Sequence, residues 1–167
     1  MYPQSHFLFP LFIGELLVKL GYVDQRFVIV AVIVGVLIDL DHSLHHFVMT
    51  GEISVMKTAD DAFKKHIDDR TFIHHKNGML IITILFIIIS KYASYWAAAV
   101  MIGYYSHMLL DHITADGRLL DKRTNKDYLG KTKPILFCLW GYTVKIAKFE
   151  IIFDLLMIVG LLIVYVA

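Results

Sequence analysis

Hydrophobic residues in this chain fall into five apolar runs separated by four more polar connections. The runs cover residues 7–20, 27–38, 79–89, 92–110 and 151–167. Unbroken apolar runs of this length, without the two-residue alternation of strands, favour helices over a sheet. The run 27–38 falls short of the roughly 20 residues that cross a bilayer, but its polar continuation through about residue 46 makes a helix long enough. We therefore predict an all-α fold, a polytopic membrane helical bundle of about five transmembrane helices.

The connections differ in length and charge. Residues 49–77 are rich in Lys, Arg and Asp, and Thr58 stands three residues before Asp61, a spacing typical of a helix N-terminus. This predicts a short interfacial helix over about 58–69. Residues 114–148 are again polar and basic, while Lys91 marks a tight turn between the third and fourth runs. Without an internal repeat or low-complexity linker, residues 1–167 form one predicted domain, and we expect the first apolar run to be retained.

Composition supports the membrane class. Hydrophobic residues make up 57% of the 167 positions, against roughly 45–50% in soluble domains. The net charge of +1 and the lack of a basic stripe with aromatic residues argue against a nucleic-acid partner. Because Cys138 is the single cysteine, an intramolecular disulfide and a Cys-x-x-Cys metal site are excluded. Any metal must therefore be held by histidine and carboxylate.

Basic residues are unevenly distributed between the connections. The second and fourth connections hold thirteen of the sixteen, and only Lys19, Arg26 and Lys91 belong to the other two. Since basic loops favour the cytoplasmic side, this predicts a multi-pass protein of the cell membrane with a cytoplasmic N-terminus.

Ionisable residues cluster at the ends of the apolar runs. His107 and Asp111 lie four residues apart and therefore face the same way from successive helical turns. Asp39, Asp41 and His42 end the second run, where two acids oppose the helix dipole and need a cation. On the predicted topology every candidate ligand lies at the cytoplasmic face: His6, Asp39, Asp41, His42, His74, His107 and Asp111.

A mixed His and Asp set with more than four members points to two or three divalent ions, with zinc first and manganese or magnesium as alternatives. Clustered ions suit phosphoester hydrolysis. We assign catalytic roles to Asp39 and Asp41, either of which could be the general base, and to Arg70, whose planar fork matches phosphate oxygens. Arg70 could equally contact lipid headgroups. Glu15 and Asp154 lie inside apolar runs, and we expect structural pairing, with Lys19 as the candidate partner of Glu15.

The same residues resemble a known family. Four motifs are similar to those of the YdjM-type membrane-bound metal-dependent hydrolases. They are an early His, Gly-x-x-x-Asp-x-Asp-His, Arg-x-x-x-His and Gly-x-x-x-His-x-x-x-Asp. Here Ile38 replaces the usual proline, Asp69 precedes Arg70 in place of histidine, and His75 replaces serine. The resemblance covers about residues 6–117 and implies a multi-pass helical hydrolase. The His-x-x-x-Asp element is more remotely similar to the zinc phospholipase C and P1 nuclease group, which implies a phosphoester substrate.

Two functions from different classes follow. The first is a hydrolase that acts on a lipid phosphate ester or similar amphiphile at the cytoplasmic membrane interface. The alternative is a metal-ion transporter or metal-responsive membrane protein that uses the same ligands, and a metal-stabilised scaffold is a third. Neither the metal, the substrate nor the oligomeric state is fixed by the sequence.

Overall fold

The computed structural model describes residues 3–40, 47, 48, 51, 72–114, 135–139, 142–146 and 148–166, with side chains for 4–40, 47, 48, 51, 72–111 and 150–166. Helices dominate this part of the chain, as predicted, while the interfacial helix predicted over 58–69 lies outside it. The elements are α1 (Pro3–Lys19), α2 (Gln25–Leu37), a 3-10 turn (Phe72–His74), α3 (Lys76–Thr114), β1 (Ile135–Leu139), β2 (Tyr142–Ile146) and α4 (Lys148–Val166).

The corner between α1 and α2 is fixed by one glycine and one aspartate. Gly21 adopts φ +76°, which turns the Tyr22 N–H back to the Leu17 carbonyl at 3.0 Å, while the Gly21 N–H bonds to the Val18 carbonyl at 2.9 Å. Asp24 then caps α2, because its side chain accepts hydrogen bonds from the N–H groups of Arg26 and Phe27. The Tyr95 hydroxyl also donates to Asp24 and holds the pKa of this carboxyl below its usual value. This contact ties the corner to α3.

Helix α3 consists of two arms that fold back on each other. Its backbone leaves the helical region at Ala93, where φ is −146° and ψ is 57°. The Thr83 and Tyr105 hydroxyls share a hydrogen bond, although a straight helix would hold residues 22 apart at a separation of about 33 Å. The rings of Phe86 and Tyr104, 6.0 Å apart, make the same antiparallel contact. The break lies two residues from the turn predicted at Lys91.

The fold places one end of every helix together. Helix α1 lies at the centre and packs against α2, α3 and α4. Helices α1 and α4 run in the same direction, since Ser5 contacts Glu150 while Gly160 lies against Phe12. The start of α1, the end of α2 and both ends of α3 consequently meet on the side from which residues 41–71 and 115–147 depart.

A short β-hairpin interrupts the predicted all-α pattern. Strands β1 and β2 pair antiparallel, with Leu139 opposite Tyr142 and Ile135 opposite Ile146. We predicted only a polar, basic connection here, because the surrounding lysines and arginines outweighed the local signal. That signal is two five-residue runs, apolar or β-branched except at Lys145, separated by Trp140 and Gly141, a spacing typical of a hairpin.

Burial in the helical part is reversed relative to a soluble protein. The polar residues Ser5, His6 and His107 are 0% exposed. The apolar residues Ile87 and Leu162, in contrast, are 57% and 59% exposed. Soluble proteins rarely show wide apolar patches of this kind. The exposed large apolar residues on the first arm of α3 and on α4 include Leu80, Ile81, Ile84, Leu85, Ile87, Ile88, Ile89, Ile152, Leu155, Leu156, Ile158, Val159, Leu162, Ile163 and Val166.

Length and composition mark one described helical element, Lys76–Asp111, as able to cross a membrane, where the sequence predicts about five. The difference has a physical reason. Helices α1 and α2 have 17 and 13 residues, fewer than the roughly 20 of a full span.

Two glycines, Gly35 and Gly103, allow α1, α2 and α3 to approach closely. We call the contact between these two residues the glycine contact. A Cβ on Gly103 would lie 2.3 Å from the Ala31 carbonyl oxygen, closer than van der Waals contact permits. A Cβ on Gly35 would lie 3.0 Å from the His6 carbonyl oxygen, which has no α-helical donor because residue 10 is Pro10. Small residues are the usual means of close helix packing in membranes.

We expect Gly103→Ala to lower the free energy of unfolding by about 1–3 kcal/mol, because the new methyl group meets backbone that cannot move aside. Gly160→Ala is the matched control, since its Cβ would meet the ring edge of Phe12, which can rotate. Equilibrium unfolding in mixed detergent and SDS micelles measures both. Equal losses in the two variants would contradict the close backbone approach.

Candidate metal centre

Five of the seven predicted ligands converge at the shared helix ends. His6 comes from the start of α1, Asp39 follows the end of α2, and His74 closes the 3-10 turn before α3. His107 and Asp111 project from successive turns at the end of α3. We call this group the five-residue cluster: His6, Asp39, His74, His107 and Asp111.

The donor atoms of the five-residue cluster lie at separations suited to one ion. The Nε2 atom of His6 lies 3.3 Å from Asp111 Oδ1 and 3.9 Å from Asp39 Oδ2. The Nε2 atom of His107 lies 3.5 Å from Asp39 Oδ1 and 3.7 Å from Asp111 Oδ2. Two donors each about 2.0–2.1 Å from a tetrahedral zinc ion would be about 3.4 Å apart. The carboxylates and imidazoles therefore alternate around a space of ionic size.

His74 closes the group from the opposite side. Its Nε2 atom lies 3.3 Å from His107 Nε2 and 3.8 Å from Asp111 Oδ2. Two imidazole nitrogens at 3.3 Å must share a proton or a cation, because two lone pairs facing each other repel. A metal ion bound by His74, His107 and a neighbouring carboxylate would remove this repulsion.

The tautomer of His107 is set by the glycine contact. Its Nδ1 atom lies 2.8 Å from the Gly35 carbonyl oxygen, and since a carbonyl only accepts, Nδ1 carries the hydrogen. In the neutral ring Nε2 then presents its lone pair to the cluster. A histidine that donates its second nitrogen to a carbonyl while the first faces a cation is the usual arrangement of metal ligands. The backbone of α2 thus orients a side chain of α3.

His6 provides the strongest test of whether the residues fit a metal. Its ring is 0% exposed and stacks on His107 with centroids 3.9 Å apart. Neither ring nitrogen of His6 makes a hydrogen bond of good geometry among the described residues, although Nε2 lies 3.3 Å from Asp111 Oδ1. Leaving buried polar atoms unsatisfied costs about 1–3 kcal/mol each. A cation at Nε2 would remove part of that cost.

Charge and exposure also suit a divalent ion. Three neutral imidazoles and two carboxylates carry a formal charge of −2, which one divalent cation balances. The carboxylate oxygens of Asp39 lie 3.5 Å from His107 Nε2 and 3.9 Å from His6 Nε2, so a cation between these groups would stabilise the ionised form of Asp39. The three histidines are at most 1% exposed while the Asp39 side chain is 26% exposed. The cluster is therefore closed on its histidine side and open beside Asp39.

The described donors are enough for one ion. They form two sets of three, His6 with His107 and Asp111, and Asp39 with His74 and His107, in each of which the donor atoms lie within 4.8 Å of one another. Both sets use His107, whose single free nitrogen binds one ion at a time. The remaining predicted ligands and the anion clamp, Asp41, His42 and Arg70, lie outside the described residues.

Other buried polar residues have structural partners. Glu15 accepts a hydrogen bond from Gln25 Nε2 at 3.0 Å, rather than pairing with the expected Lys19. The Ser5 hydroxyl lies 2.7 Å from Asp154 Oδ1 and 3.2 Å from Glu150 Oε1. Glu150 was not singled out from the sequence. It directly precedes an apolar run, where an acidic residue is usually an exposed charge at the end of a helix.

Comparison of the whole chain with protein-family models, with curated proteins and with solved structures finds no match.

We expect His74→Ala to weaken zinc binding at least about tenfold, because it removes one of the converging Nε2 atoms. His75→Ala is the matched control, since the neighbouring imidazole is exposed. Zinc retained by the purified protein against a graded series of chelators measures the affinity. Equal retention by the two variants would show that the cluster does not hold the ion.

Proposed function

We propose that this chain is a multi-pass membrane metal-dependent hydrolase, similar in its motifs to the YdjM-type enzymes, that cleaves a lipid or amphiphilic phosphate ester at the cytoplasmic interface. The observation that carries the proposal is the five-residue cluster, a buried His and Asp set with one open side. Zinc fits this donor set, and a second or third ion would require Asp41 and His42.

The membrane assignment is supported by the reversed burial of the helices. The second arm of α3, residues 94–114, would be about 31 Å long, which matches a hydrocarbon core of about 30 Å, whereas the first arm, residues 76–92, would be about 25 Å long. Exposed Ile and Leu side chains cover the first arm and α4. The basic connections leave from the same end as the cluster, so the positive-inside rule favours a cytoplasmic site.

The hydrolase assignment is supported by the open side of the cluster. A divalent ion held there would polarise a phosphoester and make a water molecule more acidic. In the net reaction, water adds its oxygen to phosphorus, the bond from phosphorus to the alcohol oxygen breaks, and the alcohol leaves with a proton. Asp39, the most exposed member of the cluster, is suited to accept the proton of the water. Asp41 is the alternative base, and Arg70 would bind the phosphate oxygens.

The position of the other ionisable residues favours hydrolysis over transport. A transport path needs further polar groups along the bundle, yet residues 7–14 of α1 offer none between His6 and Glu15, about 13 Å along the helix. Glu15 is also engaged by Gln25. The ligands therefore form a site at one end of the described bundle and no ladder through it.

The proposed topology predicts that positions 22 and 48 face opposite sides of the membrane. Tyr22 and Val48 are matched in exposure, at 74% and 72%, and lie at the α1–α2 corner and in the second connection. In a Cys138→Ser background, Tyr22→Cys should react with an impermeant maleimide on intact cells. Val48→Cys should react only after lysis. Labelling of both positions from outside would contradict the topology.

The proposed chemistry predicts phosphate release that depends on the cluster. Zinc-loaded protein in lipid nanodiscs should release inorganic phosphate from phosphatidic acid, and Asp111→Asn should lower the rate at least about a hundredfold because it loses a carboxylate ligand. Glu15→Gln is the matched control, since it neutralises a buried acid at the far end while keeping a hydrogen-bond acceptor.

Two outcomes would count against the hydrolase. Equal rates for Asp111→Asn and wild type would place any phosphatase activity elsewhere. Zinc flux into proteoliposomes, without cleavage of any phosphate ester, would favour the transporter.

A further inference from the structure

A three-residue turn carries one ligand of the five-residue cluster. His74 closes the 3-10 turn Phe72–His74, whereas His6, His107 and Asp111 project from long helices. A single 3-10 turn has few hydrogen bonds of its own. The direction in which the His74 ring points therefore depends on what holds the turn from outside.

The turn is held by a hydrogen bond from Tyr104, on the second arm of α3. The Tyr104 hydroxyl donates to the Ile73 carbonyl oxygen at 2.8 Å, one residue before His74. The backbone bond of the turn itself joins the His75 N–H to the Phe72 carbonyl oxygen, and so leaves the Ile73 carbonyl available. Tyr104 is 3% exposed. A buried side chain of α3 thus fixes the backbone directly before a ligand.

Tyr104 also lies on the face of α3 that carries the cluster. Tyr104 and His107 are three residues apart, so they lie about 60° apart around the helix axis and on neighbouring turns. His107 Nε2 lies 3.3 Å from His74 Nε2. Two successive residues of the 3-10 turn, Ile73 and His74, therefore meet two successive turns of α3, through a backbone carbonyl and through an imidazole.

The start of α3 holds the turn from its other side. A Cβ on Gly78 would overlap the Phe72 carbonyl oxygen and would lie 3.2 Å from the Ile73 Cα. The turn consequently packs directly on the first helical turn of α3, at a distance that only glycine permits. Gly78 limits how far the turn can move in one direction, and Tyr104 holds it in the other.

We propose that Tyr104 is a positioning residue of the metal centre, whose hydroxyl holds the Ile73 carbonyl so that His74 Nε2 faces the same ion as His107. The inference rests on the proposed function, because it names the group that places one of the ligands on which hydrolysis would depend. Tyr104 itself contacts neither the ion nor the substrate. It acts through His74 alone.

The first test compares Tyr104→Phe with Tyr105→Phe. Each variant loses one hydrogen-bonded phenol hydroxyl from α3, but the Tyr105 hydroxyl bonds to Thr83, outside the 3-10 turn. We expect Tyr104→Phe to weaken zinc binding by about ten- to a hundredfold, the usual effect of losing a group that orients a metal ligand. Tyr105→Phe should bind zinc as wild type does. Competition against graded chelators measures the affinity, elution volume reports the fold, and equal affinities of the two variants overturn the inference.

A double-mutant cycle shows whether Tyr104 acts through His74. In a His74→Ala background the turn carries no ligand, so Tyr104→Phe should cause no further loss of zinc affinity. A loss of the same size in both backgrounds would mean that Tyr104 supports the bundle in general, and it would overturn the inference.

Modification of His74 in the metal-free protein separates the inference from metal binding. The His74 side chain is 1% exposed, so wild type should react slowly with diethyl pyrocarbonate at this residue. Tyr104→Phe should react at least about threefold faster, because loss of the bond favours local opening of the turn. Peptide mass spectrometry measures the rate. Equal rates in Tyr104→Phe and Tyr105→Phe overturn the inference, whether or not an ester is cleaved.

The remaining outcomes distinguish this inference from the proposed hydrolysis. If zinc binding follows the expected cycle but phosphatidic acid is not cleaved, the role of Tyr104 stands and the hydrolase falls. If wild type binds no zinc while Tyr104→Phe alone speeds modification of His74, the placement of His74 by Tyr104 stands, and the metal centre falls together with the hydrolase.

Discussion

The hydrogen bond from His107 Nδ1 to the Gly35 carbonyl is the interaction on which the site depends. It joins α2 to α3, fixes the tautomer of the imidazole and turns Nε2 towards the other ligands. The bond can form only because glycine at positions 35 and 103 lets the two backbones approach. The glycines one helical turn before Asp39 and before His107 are therefore part of the site, since they set the distance between the helices that carry these ligands.

The close approach of the helices also buries the polar ring of His6 beside His107. His6 is stacked on His107 and buried with both ring nitrogens unbonded among the described residues. A helix bundle that consisted only of apolar contacts would have no reason to bury such a group. A cation between these residues would bind His6 Nε2, separate the paired Nε2 atoms of His74 and His107, and balance the charges of Asp39 and Asp111.

Sequence reasoning succeeded where a single physical constraint dominates. Ionisable residues at the ends of apolar runs have few stable arrangements, so the meeting of His6, Asp39, His74, His107 and Asp111 could be expected from spacing and topology. The break in α3 was also close to its predicted place, because Lys91 interrupts an apolar run. The β-hairpin at 135–146 escaped prediction, since the charges around it were read as a solvated loop.

Details set by side-chain direction could not be predicted. The sequence suggested Lys19 as the partner of Glu15, because neighbouring turns of one helix are easy to identify from spacing. The true partner, Gln25, comes from α2, and only the folded corner brings it within reach. The number of membrane spans was also hard to predict. The sequence contains five apolar runs, whereas among the described helices only the element Lys76–Asp111 is long and apolar enough to cross a membrane, and this element is broken into two arms at Ala93.

Anomalous diffraction at the zinc edge from zinc-loaded crystals tests the central claim most directly. The account predicts a peak about 2.0–2.2 Å from His107 Nε2 and at a similar distance from at least two further donors of the five-residue cluster. A zinc peak remote from His107, or zinc-loaded protein in which His107 Nε2 remains without an ion, would contradict it.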